Sequence, residues 1–375
     1  LMRRINKILI VFGTRPEAIK MAPVVKQLVR VENVDVRICV TAQHREMLDQ
    51  VLNLFDIVPH YDLDLMTSKQ TLNQIVSKVL CGIEEVIAEF NPDLMLVHGD
   101  TTTTFSASLA AYHSKVDVGH VEAGLRTGDI YSPWPEEINR KLTSSIAKYH
   151  FAPTDFAKEN LIREGVAESS ICVTGNTVID ALFYTLDYCA DDKRFEDTLH
   201  EKYKIDFSKK LILVTGHRRE NFGEGFQNIC KAIGDIAIRN PDVQLVYPVH
   251  LNPNVQEPVK RVLEGLQNVL LIPPLDYRKF VFLMSKAYLI LTDSGGIQEE
   301  APSLNKPVLV MRDTTERPEA VESGAVKIVG NQTKSIVSGV EMLIQNAEKY
   351  REMSSAVNPY GSGDASQKIV DYLFG

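Results

Sequence analysis

The chain has 375 residues, which is long for one core and points to two domains, and its 44% apolar and 24% charged residues are ordinary for a globular protein. A net charge of −8 excludes a general nucleic-acid or anionic-membrane surface, while local arginine clusters can still bind a phosphate group. The 5 cysteines (Cys39, Cys81, Cys172, Cys189, Cys230) lack CxxC spacing, and no run approaches the ~20 apolar residues that span a bilayer, so buried thiols in a reducing cytoplasm are expected. Leu1-Met2-Arg3-Arg4 leads straight into a strand without a cleavage-site pattern, so no signal peptide is expected.

Residues 8–12 form a short β-rich apolar run, read as a buried strand. Gly13-Thr14-Arg15-Pro16-Glu17 follows, a glycine turn with proline placed to open a helix. Such a junction presents N–H groups to an anion, and Arg15 and Lys20 add positive charge. It matches neither G-x-G-x-x-G nor G-x-x-x-x-G-K-[ST], so neither a dinucleotide fingerprint nor a P-loop is indicated. Residues 34–40 predict a second strand, followed by Gln43-His44-Arg45-Glu46 and a helix on the spacing Met47, Val51, Leu54. Leu72, Ile75, Val76, Val79, Ile83, Val86, Ile87 and Phe90 recur at helical spacing and predict a core-facing stripe.

The stretch 94–140 is the richest in chemistry. Leu94-Met95-Leu96-Val97 reads as a buried strand ending in His98-Gly99-Asp100, and residues 116–119 repeat the form into His120-Val121-Glu122. Residues two apart on a strand share a face, so each imidazole–carboxylate pair is expected to point at one space. In an open parallel sheet, ligands bind beyond the carboxyl ends of the strands. Arg126, Glu136, Glu137 and Arg140 add further charge, and the ensemble suggests acid–base chemistry on a charged substrate. Singly, each of these groups reads equally well as a strand-end or helix-cap residue. Residues 101–112 predict a helix whose leading threonines serve as caps or as contacts to substrate hydroxyls.

Beyond the next helix, strand and the turn Gly175-Asn176-Thr177, residues 178–186 predict an apolar helix. The charged, weakly patterned residues 187–208 mark the join between domains, which falls within 176–208. Strands at 211–215, 243–247, 269–272 and 288–291 then restart the alternation, giving an α/β fold with parallel sheets. Gly216-His217-Arg218-Arg219-Glu220 is a cationic strand end. In Thr292-Asp293-Ser294-Gly295-Gly296-Ile297-Gln298-Glu299-Glu300 a strand ends, two glycines admit close approach, and a helix N-terminus suits a diphosphate, with the Ser294 hydroxyl as a further donor. Glu300 is placed to accept both hydroxyls of a ribose, the arginines of Arg312–Glu319 can complete an anion site, and Phe280 serves either a base stack or the core.

Together, Gly13-Thr14-Arg15-Pro16-Glu17-Ala18, His98-Gly99-Asp100 with its threonines, His120-Val121-Glu122-Ala123-Gly124-Leu125-Arg126, Pro135-Glu136-Glu137, Gly216-His217-Arg218-Arg219-Glu220, the 293–300 motif and Asp313-Thr314-Thr315-Glu316-Arg317-Pro318-Glu319 resemble the bacterial non-hydrolysing UDP-N-acetylglucosamine 2-epimerases, in unbroken order from about residue 7 to 370. The resemblance implies two Rossmann-like parallel-sheet domains of the glycosyltransferase-B type with the site in the cleft between them. Their expected bounds are 1–180 and 181–360, with 361–375 a helix returning to the first domain. It also implies a homodimer, no metal, no cofactor, and no nucleic-acid or membrane partner. The implied reaction is reversible epimerisation at C2 through loss and re-addition of UDP and a 2-acetamidoglucal intermediate.

By the same resemblance Asp100, Glu122, Glu136 and His217 are the catalytic candidates. Arg15, Lys20, Leu275, Phe280, Ser294, Gly295, Gly296, Glu300 and Arg317 are the nucleotide contacts. Gln43, His44, Lys69, Glu136 and Arg218 match a second, activating substrate site, although Glu46 and Lys69 stand where activated members carry Gln and Arg. Three rival readings remain at this point. A glycosyltransferase would share the fold, a metallohydrolase would use His98, Asp100, His120 and Glu122 as ligands, and a sugar-nucleotide sensor would bind without turnover.

Overall fold

The computed structural model describes residues 5–41, 45–65, 67, 70–190, 193–216, 218 and 221–375. The chain divides into two units, Leu1–Phe183 with Tyr360–Gly375, and Tyr184–Pro359. In the first, strands β1 (Lys7–Phe12), β2 (Asp35–Val40), β3 (Tyr61–Asp62), β4 (Leu94–His98), β5 (Asp117–Val121), β6 (Tyr149–Ala152) and β7 (Ile171–Val173) alternate with helices α1 (Arg15–Leu28), α2 (Arg45–Leu54), α3 (Leu72–Phe90), α4 (Thr102–His113), α5 (Glu136–Ile146), α6 (Asp155–Arg163) and α7 (Thr177–Ala190). In the second, α8 (Lys193–Tyr203) precedes β8 (Lys210–Thr215), α9 (Glu224–Arg239), β9 (Val243–Pro248), α10 (Pro253–Leu263), β10 (Val269–Ile272), α11 (Tyr277–Lys286), β11 (Leu289–Thr292), α12 (Gly295–Glu300), β12 (Val308–Val310), α13 (Pro318–Glu322), β13 (Val326–Ile328), α14 (Thr333–Gln345) and α15 (Ala347–Ser354).

Both sheets are parallel and share one winding. The first runs β3-β2-β1-β4-β5-β6-β7 and the second β10-β9-β8-β11-β12-β13. Helices cover both faces, so central strands are apolar throughout; Ile8 to Phe12 and Leu94 to Val97 are fully buried. The winding reverses between β1 and β4 in one sheet and between β8 and β11 in the other. A reversal leaves an open crevice beyond the carboxyl ends of the two central strands. The sequence-expected α/β fold with two Rossmann-like parallel sheets is thus observed.

Some local expectations need correction. The buried stripe of α2 is Leu48, Val51 and Leu52, at i, i+3 and i+4, whereas Met47 is 42% exposed. Cys81 is exposed because it faces away from the Ile75, Val79, Ile83 stripe of α3. Residues 187–208 are largely helical, taken up by the end of α7 and by α8, and the contact boundary falls inside α7. Strands β3 and β13 span 2 and 3 residues, too short for a periodic signal. Among the described residues no helix is long and apolar enough to cross a membrane.

The last helix, α16 (Ala365–Phe374), belongs to the first unit and packs on α1. Its N-terminus is held by Asp180 of α7, whose carboxylate accepts Ala365 N at 3.2 Å, Ser366 N at 2.8 Å and Ser366 Oγ at 2.5 Å. All three residues are buried, so losing the acceptor strands donors away from water. Asp180→Ala is therefore expected to lower unfolding stability by about 2 kcal/mol and to speed proteolysis near residue 365, read by urea denaturation and mass spectrometry. A loss under about 0.5 kcal/mol would show that the cap does not hold the helix.

Candidate active site

The β1–α1 junction is occupied by the protein itself. Thr14 and Glu17 form a capping box, in which Thr14 Oγ1 accepts Glu17 N and the Glu17 carboxylate returns to Gly13 N at 3.1 Å and Thr14 N at 2.8 Å. The expectation that these N–H groups await a substrate anion is therefore wrong, because a carboxylate one turn along already fills them. Glu17 is buried and also accepts Thr101 Oγ1 at 2.7 Å, while Thr104 Oγ1 lies 3.1 Å from it and 2.5 Å from the His98 carbonyl. Thr101 caps α4, so the threonines act as caps and packing rather than as exposed hydroxyls. Gly13 permits this closeness, since a Cβ there would stand 2.1 Å from Thr41 Oγ1. Arg15 is half-buried at the start of α1.

Lys20, read from sequence as part of an anion site, forms an ion pair with Glu122. The same Glu122 Oε2 accepts Asn176 Nδ2 at 2.9 Å and lies 3.6 Å from His98 Nε2, just past hydrogen-bond reach. Burial, the largest influence, pushes the Glu122 carboxyl up, but the Lys20 ammonium and then His98 outweigh it and hold the group well below the usual carboxylate range. Asp100 is more open, its side chain 25% exposed, and its Oδ2 accepts Arg140 Nη2 at 2.5 Å. Asn139 Nδ2 fixes the Asp100 carbonyl at 2.9 Å, and Arg140 is itself oriented by buried Glu137 at 3.2 Å. Glu137 further accepts Thr127 N and Gly128 N, which makes it a framework residue.

The expected pairing of each histidine with the carboxylate two residues on does not occur. Gly99 (φ 69°) and Glu122 (φ 63°) adopt left-handed backbone, so the alternation of faces ends with the strands. His98 of β4 approaches Glu122 beyond β5, and His120 of β5 donates from Nε2 to the Gly99 carbonyl at 2.7 Å. His120 is thereby committed to the turn that carries Asp100. Burial, against the raising effect of that bond, brings its pKa down to about 3. The four side chains imagined as metal ligands thus have separate tasks, and among the described residues no group of three or more His, Cys, Asp or Glu is arranged to hold a metal ion.

In the second unit the crevice between β8 and β11 gathers the glycine motif. Asp293, fully buried, accepts Arg218 N at 2.8 Å and so ties the segment after β8 to the end of β11. Ser294 opens α12, its backbone N–H donating to Thr292 Oγ1 at 2.9 Å while its hydroxyl makes no capping bond. A Cβ on Gly295 would lie 3.6 Å from Arg218 Nη2 and 3.8 Å from Arg317 Nη2, so two guanidinium groups converge on the first residue of that helix. Arg317 is oriented by an ion pair with buried Glu299. Arg312 grips Glu316 at 2.8 Å and 3.0 Å, and that bond, the largest influence, lowers Glu316 to about 2. Two cations therefore stand beside the start of α12, an arrangement of the kind that attracts an anion. Glu300 is buried and accepts Tyr277 Oη at 2.7 Å.

Glu136 stands half-buried at the first position of α5, Phe280 half-buried on α11, and Leu275 half-buried just before it. Gly296 lies on α12 with open space where a Cβ would stand. His217, Gln43, His44 and Lys69 lie outside the described residues, as does the Glu46 side chain. Of the activator set, Arg218 is located beside Gly295. Sequence reasoning missed Glu17, Asn176 and the grip of Arg140 on Asp100. Only the first had a readable signal, the T-x-x-E capping pattern.

Comparison with known proteins adds a consistent picture. Residues 26–374 match the family model described as UDP-N-acetylglucosamine 2-epimerase. Proteins of that name from Yersinia pestis and Escherichia coli (strain K12) are 60% and 58% identical, each over 98% of this chain and 98% of its own. The crystal structure of UDP-GlcNAc 2-epimerase from Neisseria meningitidis bound to UDP-GlcNAc superposes with a TM-score of 0.91 at 52% identity, covering 98% of this chain and 99% of that one.

The burial of His120 has a measurable consequence. Its folded pKa of about 3 lies below the ordinary 6.5, so the unfolded state binds the extra proton between these values. The stability this group contributes is complete above pH 6.5 and is lost as pH falls toward 3. His120→Gln keeps a donor for the Gly99 carbonyl without titrating. Urea unfolding at pH 7 and pH 5 is expected to show a wild-type loss exceeding that of the variant by on the order of 2 kcal/mol. Equal losses would mean that His120 is charged, or freely hydrated, in the folded chain.

Proposed function

The chain belongs to the UDP-N-acetylglucosamine 2-epimerase family, a family of isomerases, and from that membership we propose that it interconverts UDP-N-acetylglucosamine and UDP-N-acetylmannosamine by eliminating and re-adding UDP. The observation that carries this reading is a pair of carboxylates at the ends of adjacent strands, each gripped by its own cation: Glu122 by Lys20 and Asp100 by Arg140.

The chemistry explains why both are wanted. No carbonyl acidifies the C2 hydrogen, so a base alone is too weak. Breaking the C1–O bond to UDP as the C2–H bond breaks forms the C1–C2 double bond, and UDP leaves with the electron pair. A proton then arrives on the other face of C2 while a UDP oxygen returns to C1. Two faces need two acid–base groups, and Glu122 and Asp100, at the ends of adjacent strands, are the pair proposed to supply them. Glu136 and His217 complete the proposed catalytic set, the latter by its position in sequence after β8.

UDP must stay bound while the glycal waits, which asks for a strong grip on the diphosphate. Ser294, Gly295, Gly296, Arg317 and Arg218 supply donors and positive charge for it, and Glu300 suits the ribose hydroxyls. Leu275 and Phe280 are the proposed base contacts and Arg15 a further cation. This grouping is the reason for assigning the nucleotide to the second unit and the reacting sugar carbon to the first.

Incubation with UDP-N-acetylglucosamine, followed by proton NMR of the anomeric region, is expected to show both epimers at equilibrium. Asp100→Asn and Glu122→Gln, each folded by circular dichroism, should lower kcat at least about 100-fold and release some UDP and 2-acetamidoglucal. Full activity in either variant would remove that carboxylate from proton transfer. Transfer of the sugar to an acceptor with no epimer formed would replace this reading with glycosyltransfer.

A further inference from the structure

We propose that Asn176 is a positioning residue of the epimerase site, holding Oε2 of Glu122 so that Oε1 is the oxygen that exchanges a proton with the sugar. The inference rests on the catalytic role of Glu122 proposed above. Three nitrogens surround Oε2: Lys20 Nζ, Asn176 Nδ2 at 2.9 Å and His98 Nε2 at 3.6 Å. Oε1 has no hydrogen-bond partner among the described residues, and a Cβ on Gly99 would stand 3.9 Å from it, on the turn that leads to Asp100. An oxygen already accepting from an ammonium and an amide is the poorer base of the two, so the proton goes to the other.

Asn176 is built to hold that orientation. Its side chain is buried, and its Oδ1 accepts Val178 N at 3.0 Å at the start of α7. With Oδ1 committed to a helix N–H, the amide has only one way round, and Nδ2 must face Glu122. The Asn176 backbone N–H donates to the Tyr360 carbonyl at 2.7 Å, which anchors the residue at a second point. Gly175 (φ 88°) allows the approach, since a Cβ there would meet the same carbonyl at 3.0 Å. Lys20 supplies charge on a flexible four-carbon stem and fixes no angle, so direction falls to the amide. Glu122 itself sits in left-handed backbone, which an unanchored Glu would readily leave.

Asn176→Asp separates positioning from a structural role. It matches the native side chain in size and keeps the Oδ1 acceptor, and Asp caps helices as well as Asn. Only the donor toward Oε2 becomes a second carboxylate. The expected result is a kcat about 100-fold lower with KM changed less than about threefold, UDP affinity unaltered by calorimetry, and little change in melting temperature. The limb of the kcat/KM profile that Glu122 sets should move upward by more than about one pH unit, because like charge favours the protonated form whichever direction is assayed.

Asn176→Ser keeps the cap but cannot reach Glu122, and is expected to lower kcat about tenfold with no such shift of the limb. It decides the matter if the aspartate variant does not fold. Wild-type kcat in Asn176→Ser, or Asn176→Asp with native kcat and an unmoved limb, would overturn the positioning role while leaving the epimerase reading intact. A wild-type chain that forms no epimer would instead overturn the reading itself, and the positioning role with it.

Discussion

Glu122 loses most of its water at the end of β5, and an ionised carboxylate in such a place persists only where donors replace that water. Lys20 from α1 and Asn176 from the start of α7 provide the replacement, with His98 of β4 close by. Much of the surrounding framework follows from this requirement. α1 must be pinned so that Lys20 points inward, and the Thr14–Glu17 capping box pins it, with Glu17 reaching on to α4. Asn176 in turn is tied to Tyr360, and Asp180 one turn along α7 caps α16. The last segment of the chain therefore buttresses the helix that orients the carboxylate.

The two sheets solve related problems with the same winding. In each, the reversal at the centre of the sheet leaves strand ends uncovered, and those ends carry the polar residues that packing would otherwise forbid. The first unit places acids there, each with a cation. The second places glycines and arginines, and its acids orient those cations: Glu299 holds Arg317 and Glu316 holds Arg312. Under the proposed reaction this division has a chemical logic. A diphosphate needs positive charge and backbone N–H groups, whereas epimerisation at carbon needs acid–base groups for two faces.

The alternation of apolar runs with helical stripes is strong because both units bury their central strands on two faces, and so the α/β architecture was legible in the sequence. Family membership was legible as well, from motifs at the ends of those strands. The cross-pairing of the histidines was not, since the rule of alternating faces stops at Gly99 and Glu122, where the backbone turns left-handed. Nor was the partner of Lys20, because nothing local announces an ion pair between residues 102 positions apart. The N–H groups after β1 misled for a different reason. A glycine turn before a helix attracts an anion, but the anion can be the chain's own glutamate.

Under the proposed reaction the stereocentre is inverted by proton transfer to and from carboxylates rather than by hydride transfer or by sugar transfer. The most direct test is to run the reaction in deuterium oxide and follow C2 of both epimers by NMR. A proton taken up by a carboxylate near solvent exchanges before the opposite face is reprotonated, so deuterium is expected at C2 of the newly formed epimer. An epimer that keeps all its original C2 hydrogen would contradict it.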